Sequence, residues 1–322
     1  MARVALLSDT SGSLHPGSRL ASTNIDRLFA EAGHTIAART PFLRTPTKAD
    51  EARFGDVDAI VLHGEGGIHH TDARPKVRRL LEAAVAMKAE RGCPLILINA
   101  TVAALDEASL RALAAFDLVV VRDGESADYL APHIGRPRMV PDLSLAMPYE
   151  PPAGPRTGTL VIDSVEPAID LRLAEVAAAE GLPLLRMDPR VLAGPLYRIR
   201  KLPFVRDRLA RKSRPQDVLA RVAAAERVLT GRFHGLMFSI LARRPFRAIQ
   251  SNTGKIRSAI VDALGSDERH ITASEALSMD PAVLAAVPDF TATERTAIAA
   301  YLERAQTGAK AMMDDIAALV RR

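Results

Sequence analysis

A chain of 322 residues, 48% hydrophobic and 25% charged, holds enough apolar mass for two cores; its one cysteine, Cys93, excludes an internal disulfide framework or a cysteine-based metal knuckle. Aromatic residues make up 4% with no tryptophan, which leaves no set of stacking platforms for nucleic acid, and no nucleic-acid partner is expected. The net charge of +5 is a local matter: eight basic residues between Arg198 and Arg214 face one acid, Asp207, and the rest of the chain is slightly acidic.

The first apolar run, Val4–Leu7, has the length of a buried strand and not of a signal-peptide core. No stretch reaches the roughly 18 apolar residues of a membrane span, so a cytoplasmic location is expected. Further strands are predicted at Ala59–Leu62, Leu95–Ile98 and Leu118–Val121, with helical spacing over Asn24–Ala32, Lys76–Arg91 and Glu107–Ala115. Strands alternating with helices predict a parallel sheet covered on both faces. The breaker-rich stretch Met147–Pro155 reads as a linker, after which the pattern restarts. Strands are predicted at Leu160–Ile162, Leu184–Arg186, Val228–Thr230 and Phe246–Ile249, and a helix over Asp170–Gly181. Thr291 and Glu294 form a capping-box signature for a last helix reaching about Leu319, with a break at Thr307–Gly308. The predicted fold class is α/β and GT-B-like: two Rossmann-like doubly wound domains facing a central cleft. Residues 1–150 form the first domain, 151–290 the second, and 291–322 a C-terminal helix packing back on the first.

In such sheets ligands bind beyond the carboxyl ends of the strands, so the turns there are the candidates. Gly231-Arg232-Phe233-His234-Gly235 follows a strand and opens a helix, where free backbone amides attract anions. Arg232 adds a planar two-nitrogen donor and His234 a group that titrates near neutral pH. The structural alternative is an arginine in a salt bridge and a histidine capping the helix. Gln250-Ser251-Asn252-Thr253-Gly254-Lys255 offers amide, hydroxyl and ammonium groups to an oxyanion, or merely caps the next helix. Arg122 ends a strand of the first half, facing the second domain or pairing with Asp123. The turn Gly64-Glu65-Gly66-Gly67 lets backbone approach a ligand, but it matches neither a P-loop nor a dinucleotide fingerprint. His63, His69 and His70 around it lack a carboxylate at helical spacing, so no metal is expected.

These motifs resemble the polysaccharide pyruvyl transferase family, in order and approximate spacing from about residue 58 to 257. The family's glycine turn corresponds to Gly64–Gly67, its Arg-Asp-x-x-Ser segment to Arg122–Ser126, and its Pro-Asp pair to Pro141-Asp142. Its Thr-Gly-Arg-x-His-Gly block is Thr230–Gly235, with Phe233 in the middle position, and its distal lysine is Lys255. The resemblance implies transfer of a pyruvyl group from phosphoenolpyruvate to two hydroxyls of a sugar, leaving a cyclic ketal and phosphate. It implies His234 and Arg232 as catalytic residues, and Arg122, Phe233, Asn252, Lys255, Gly66 and Gly67 as substrate-binding ones. The base is Glu65, Asp142 or the conjugate form of His234. Phosphoenolpyruvate is the donor substrate, no further cofactor is needed, and the acceptor is a sugar or lipid-linked glycan of polysaccharide or exopolysaccharide biosynthesis. A GT-B glycosyltransferase using a nucleotide sugar is the alternative, and a catalytically retired binding protein a second. Residues Arg198–Arg214 are read either as a solvated helix face or as a peripheral contact with the inner face of the membrane.

Overall fold

The computed structural model describes residues 1–188, 194–199 and 202–321. Its first stretch runs β1 (Arg3–Asp9), α1 (Pro16–Glu31), β2 (Thr35–Pro41), α2 (Lys48–Phe54), β3 (Ala59–His69), α3 (Pro75–Arg91), β4 (Leu95–Ala103), α4 (Glu107–Ala114), β5 (Leu118–Val121), α5 (Gly124–Ile134) and β6 (Arg138–Met139). The second runs β7 (Thr159–Ser164), α6 (Pro167–Ala179), β8 (Leu184–Leu185), α7 (Pro203–Lys212), α8 (Pro215–Ala224), β9 (Arg227–Gly231), α9 (Phe233–Leu241), β10 (Phe246–Ile249), α10 (Lys255–Leu264), β11 (His270–Ile271), α11 (Ala273–Ser278), α12 (Pro281–Ala285) and α13 (Ala292–Val320). Two parallel sheets result, ordered β2-β1-β3-β4-β5-β6 and β11-β10-β9-β7-β8.

Both faces of each sheet are covered, which is why the central strands are apolar without alternation: Val4–Leu7, Ala59–Leu62 and Leu95–Ile98 are wholly buried. The helices show the complementary pattern. In α3 the buried positions are Val77, Leu80, Leu81, Ala84 and Met87, one stripe at helical spacing, closed by Gly92 in the left-handed conformation. Asp106 and Asp123 cap α4 and α5 by accepting from Ser109 N and Ser126 N.

The chain divides into two compact units. One comprises Met1–Gly12, Ala21–Met147 and the chain from Glu303 onward; the other comprises Ser13–Leu20 and Pro148–Leu302. In the first, the late part of α13 supplies Ala309, Met312, Met313 and Ile316 to a core with Val4, Leu6, Ile25, Val61 and Ile96. In the second, Val161, Leu173, Val176, Leu229 and Ile249 form the sheet-facing core.

Four local expectations are corrected. β3 does not end before the glycines but continues through them to His69, pairing with β4 across a register shift between Glu65 and Ile68. α1 starts at Pro16, not Asn24, and α13 is unbroken through Gly308, which lies against Val140. α9 begins at Phe233, directly after Arg232, and not near Leu236. The Thr291–Glu294 capping box is present, with Glu294 N on Thr291 Oγ1 at 3.1 Å and Thr291 N on Glu294 Oε2 at 2.7 Å. Among the described residues, no helix is long and apolar enough to cross a membrane.

Candidate functional site

The turn between β9 and α9 explains its own composition. Thr230 Oγ1 accepts from Arg232 N at 3.1 Å, folding the chain back as it leaves the strand. Gly235 must come close to that hydroxyl: a Cβ there would lie 2.2 Å from Thr230 Oγ1. The result is a helix whose first turn begins at the strand end, with Arg232 at the N-cap position offering no side-chain cap.

Arg232 is 5% exposed, and its two-nitrogen face is already occupied. Nε donates to Asp163 Oδ1 at 2.8 Å and Nη2 to Asp163 Oδ2 at 3.0 Å, with Asp188 Oδ2 3.6 Å away. This is the salt-bridge alternative read from the sequence. The reason is topological: β7 and β9 are adjacent parallel strands, so their carboxyl ends place Asp163 and Arg232 side by side. Asp188 N donates to Asp163 Oδ2 at 3.1 Å, tying the segment after β8 into the same knot. Asp163 and Asp188 were not singled out in the sequence; the available signal was a polar residue directly after strand 160–162.

His234 sits in the first turn of α9, 6% exposed. Its ring stands edge-on to Phe233, 5.3 Å between centroids, and tilts against His15 at 5.1 Å. The ring occupies the space where Gly17 has no side chain, since a Cβ on Gly17 would lie 2.1 Å from His234 Cγ. One strand over, after β10, Lys255 Nζ donates to Asn252 Oδ1 at 3.1 Å. Ser251, Asn252 and Gly254 border a cavity of about 470 Å³ with Glu166 and Ala273. The N-cap residue of α10 is Gly254, which has no side chain to cap the helix.

In the first unit, Arg122 ends β5 and is buried. Nε donates to Thr101 Oγ1 at 2.8 Å and Nη1 to Asp142 Oδ2 at 2.7 Å, with Glu65 Oε1 3.8 Å away. Burial alone would lower the arginine, but Asp142, Glu65 and Asp123 hold its pKa above the ordinary value. Asp123 caps α5 and accepts from Thr101 Oγ1 at 2.9 Å. Asp142 also accepts from Ser144 N, while Glu65 accepts from Asn99 Nδ2 at 3.2 Å and lies 3.3 Å from His63 Nε2. Three neighbouring strands each hold a non-glycine residue in the left-handed region: Ser8 (φ 61°) near the end of β1, and Glu65 (φ 49°) and Asn99 (φ 54°) within β3 and β4. Such strain gathers where side chains must be aimed. Gly66 and Gly67 lie within β3, and Gly66 O is 3.1 Å from His69 Nε2, which the Arg74 guanidinium meets at 2.9 Å.

A family model described as polysaccharide pyruvyl transferase matches residues 18–253. The match spans Arg122, Asp142, the Thr230–Gly235 turn and Asn252, and stops short of Lys255. No match is found among curated proteins. Among solved structures, the chain is similar to the glycotransferase of kitacinnamycin, at 14% identity over 99% of each chain with a TM-score of 0.54. It is also similar to CalG4, the calicheamicin glycosyltransferase, at 14% identity over 100% of this chain and 99% of that one, TM-score 0.51. At these identities the likeness is one of fold, the GT-B fold, and carries no substrate with it.

Proposed function

Because the chain belongs to the polysaccharide pyruvyl transferase family, we propose that it moves a pyruvyl group from phosphoenolpyruvate onto two hydroxyls of a glycan, releasing inorganic phosphate and leaving a cyclic ketal. The observation that carries this reading is His234 in the first turn of α9, where a titratable ring stands at the amide-rich end of a helix directly after a strand. The amides there, with Asn252 and Lys255, suit a donor that bears both a carboxylate and a phosphate.

In this reading the imidazolium of His234 protonates the methylene carbon of the enol phosphate, and positive charge builds on the adjacent carbon. One sugar hydroxyl adds to that carbon and loses its proton to a base. Phosphate then leaves with the C–O bonding pair, and the second hydroxyl closes the ring, its proton completing the balance. Of the carboxylates considered, Asp142 has Arg122 on one oxygen at 2.7 Å and a backbone amide on the other at 2.9 Å, which suits a fixed anchor. Glu65, on a strained backbone and beside His63 and Asn99, is the base in this reading. Arg232, closed on Asp163, is a positioning residue that fixes the turn carrying His234.

The acceptor side rests on the basic segment. Arg200 and Lys201 lie outside the described residues, but Arg198, Arg208 and Arg211 are exposed. Beside them Phe204 is 70% exposed, while Val205 and Leu209 are buried against Leu14. Cations around an outward aromatic suit a peripheral contact with an anionic membrane carrying a lipid-linked glycan at the inner face.

Incubation with phosphoenolpyruvate and a panel of glycans should release phosphate and add one pyruvate, less water, to a glycan. His234→Gln should keep phosphoenolpyruvate binding and lose about 10²–10⁴-fold in rate, the usual worth of general acid catalysis. Release of a nucleoside diphosphate from a nucleotide sugar, with no phosphate from phosphoenolpyruvate, would replace this reading with glycosyl transfer.

A further inference from the structure

The second unit holds a cavity of about 670 Å³ that takes no part in the proposed chemistry. It opens at the amino ends of β7, β9 and β10, the opposite end of the sheet from Ser164, Arg232 and Gln250. Five arginines line it: Arg156, Arg227, Arg243, Arg244 and Arg295. The lining carboxylates, Glu226 and Asp289, are both taken by Arg227, at 3.1 and 2.9 Å. Among the described residues Arg243 reaches only Glu150, 3.7 Å away and itself exposed, and Arg295 donates to a carbonyl, Phe290 O.

Arg244 is the unusual member. It is 4% exposed, and among the described residues its one side-chain hydrogen bond is Nε to Ala242 O at 2.9 Å. Among the described residues it has no carboxylate partner. Burial, followed by the charges of Arg156 and Arg243, pulls its pKa below the ordinary arginine value. A buried charge is normally paired, because taking it out of water is costly. Capping the carboxyl end of α9 uses one of five donors, and the favourable helix-end field falls off within a turn. That role does not account for two more cations gathered around the same buried group.

We propose that this cavity is a second ligand site, and that its ligand is a phosphate-bearing small molecule. A phosphoryl group supplies the multiple negative charge and acceptor oxygens that arginine donors match. The space far exceeds one phosphate, and Phe290 and Ile298 give it an apolar wall for an organic body. Phe290 is held rigid, edge-on to Phe246 at 5.6 Å and under the Arg269 guanidinium at 4.6 Å.

The test is calorimetric titration of the full chain with pyrophosphate, alongside its effect on Tm. Wild type should bind saturably and gain Tm. Arg156→Glu, on an exposed loop, should weaken binding tenfold or more while phosphate release from phosphoenolpyruvate continues. Arg244→Met should abolish the pyrophosphate-induced Tm gain, and its unliganded Tm should equal or exceed wild type, since an unpaired buried charge has been replaced by an apolar chain. The proposal is overturned if wild type shows no saturable binding, or if both variants bind as wild type does. Should Arg244→Met not fold, unchanged binding by Arg156→Glu alone overturns it. The site stands or falls apart from pyruvyl transfer, because His234→Gln should bind pyrophosphate here as wild type does.

Discussion

At Arg232 the role of an arginine is decided by what already holds it. Its guanidinium and the Asp163 carboxylate are both almost fully buried, and their paired geometry satisfies each in the absence of substrate. Removing one member leaves the other charged and buried, so Arg232→Ala should cost about 3–5 kcal/mol of stability. Arg232→Lys should recover only part, because a point charge cannot span both carboxylate oxygens. Urea unfolding of wild type and both variants measures this. A fully stable Arg232→Ala protein with no turnover would instead return Arg232 to direct contact with substrate. The residues of this turn were readable one by one in the sequence, down to Thr230, Arg232 and His234. Asp163 was not, since its pairing depends on β7 lying beside β9 and nothing within either segment records that neighbour.

At the scale of elements, α13 is pinned at its start by a single carboxylate. Glu294 closes the capping box with Thr291 and forms a two-point ion pair with Arg269, which also donates to Phe246 O, Pro288 O and Asp289 O. The Arg269 hydrogen bond is the main reason its pKa falls from 4.5 to about 2. A carboxylate depressed on folding contributes stability above its unfolded pKa and loses it as pH falls through the folded value. The contribution should therefore disappear between about pH 4.5 and 2. Glu294→Gln should lower stability at pH 7 and flatten the acid limb of the unfolding curve; equal acid limbs in both proteins would refute the assignment. The long periodic helices and central strands were legible because their periodicity is their burial pattern. β2 was not: its residues are mostly half-buried, so Thr35–Pro41 lacks an apolar run. The extension of β3 was hidden by its glycines, which ordinarily signal a turn and here lie within a paired strand.

For the molecule as a whole, charge is the property that reaches furthest. The basic segment near α7 stands out from a chain otherwise close to neutral, and its exposed face mixes arginines with Phe204. Binding to vesicles containing phosphatidylserine should weaken as salt rises, because the screening length shrinks to about 10 Å at 0.1 M. Replacing Arg208 and Arg211 with serine should remove roughly 1 kcal/mol of binding per residue. Phe204→Ser should weaken it further at every salt concentration. Vesicle sedimentation reads all three variants, and salt-independent binding, or none by wild type, would leave this segment an ordinary solvated surface.

The helix α13 joins sequence and synthesis in another way. It begins in one compact unit and ends in the other, where Ala309, Met312, Met313 and Ile316 fill a core begun by Val4 and Leu6. A chain emerging from the ribosome makes the strands of its first unit early and the last piece of that unit's core near the end. Throughout that interval one face of the six-stranded sheet lacks part of its cover, while the second unit can already close around Val161 and Leu229. The later-made unit is therefore the first able to finish folding, and the earlier one keeps part of its apolar face uncovered until the end of α13 has been made.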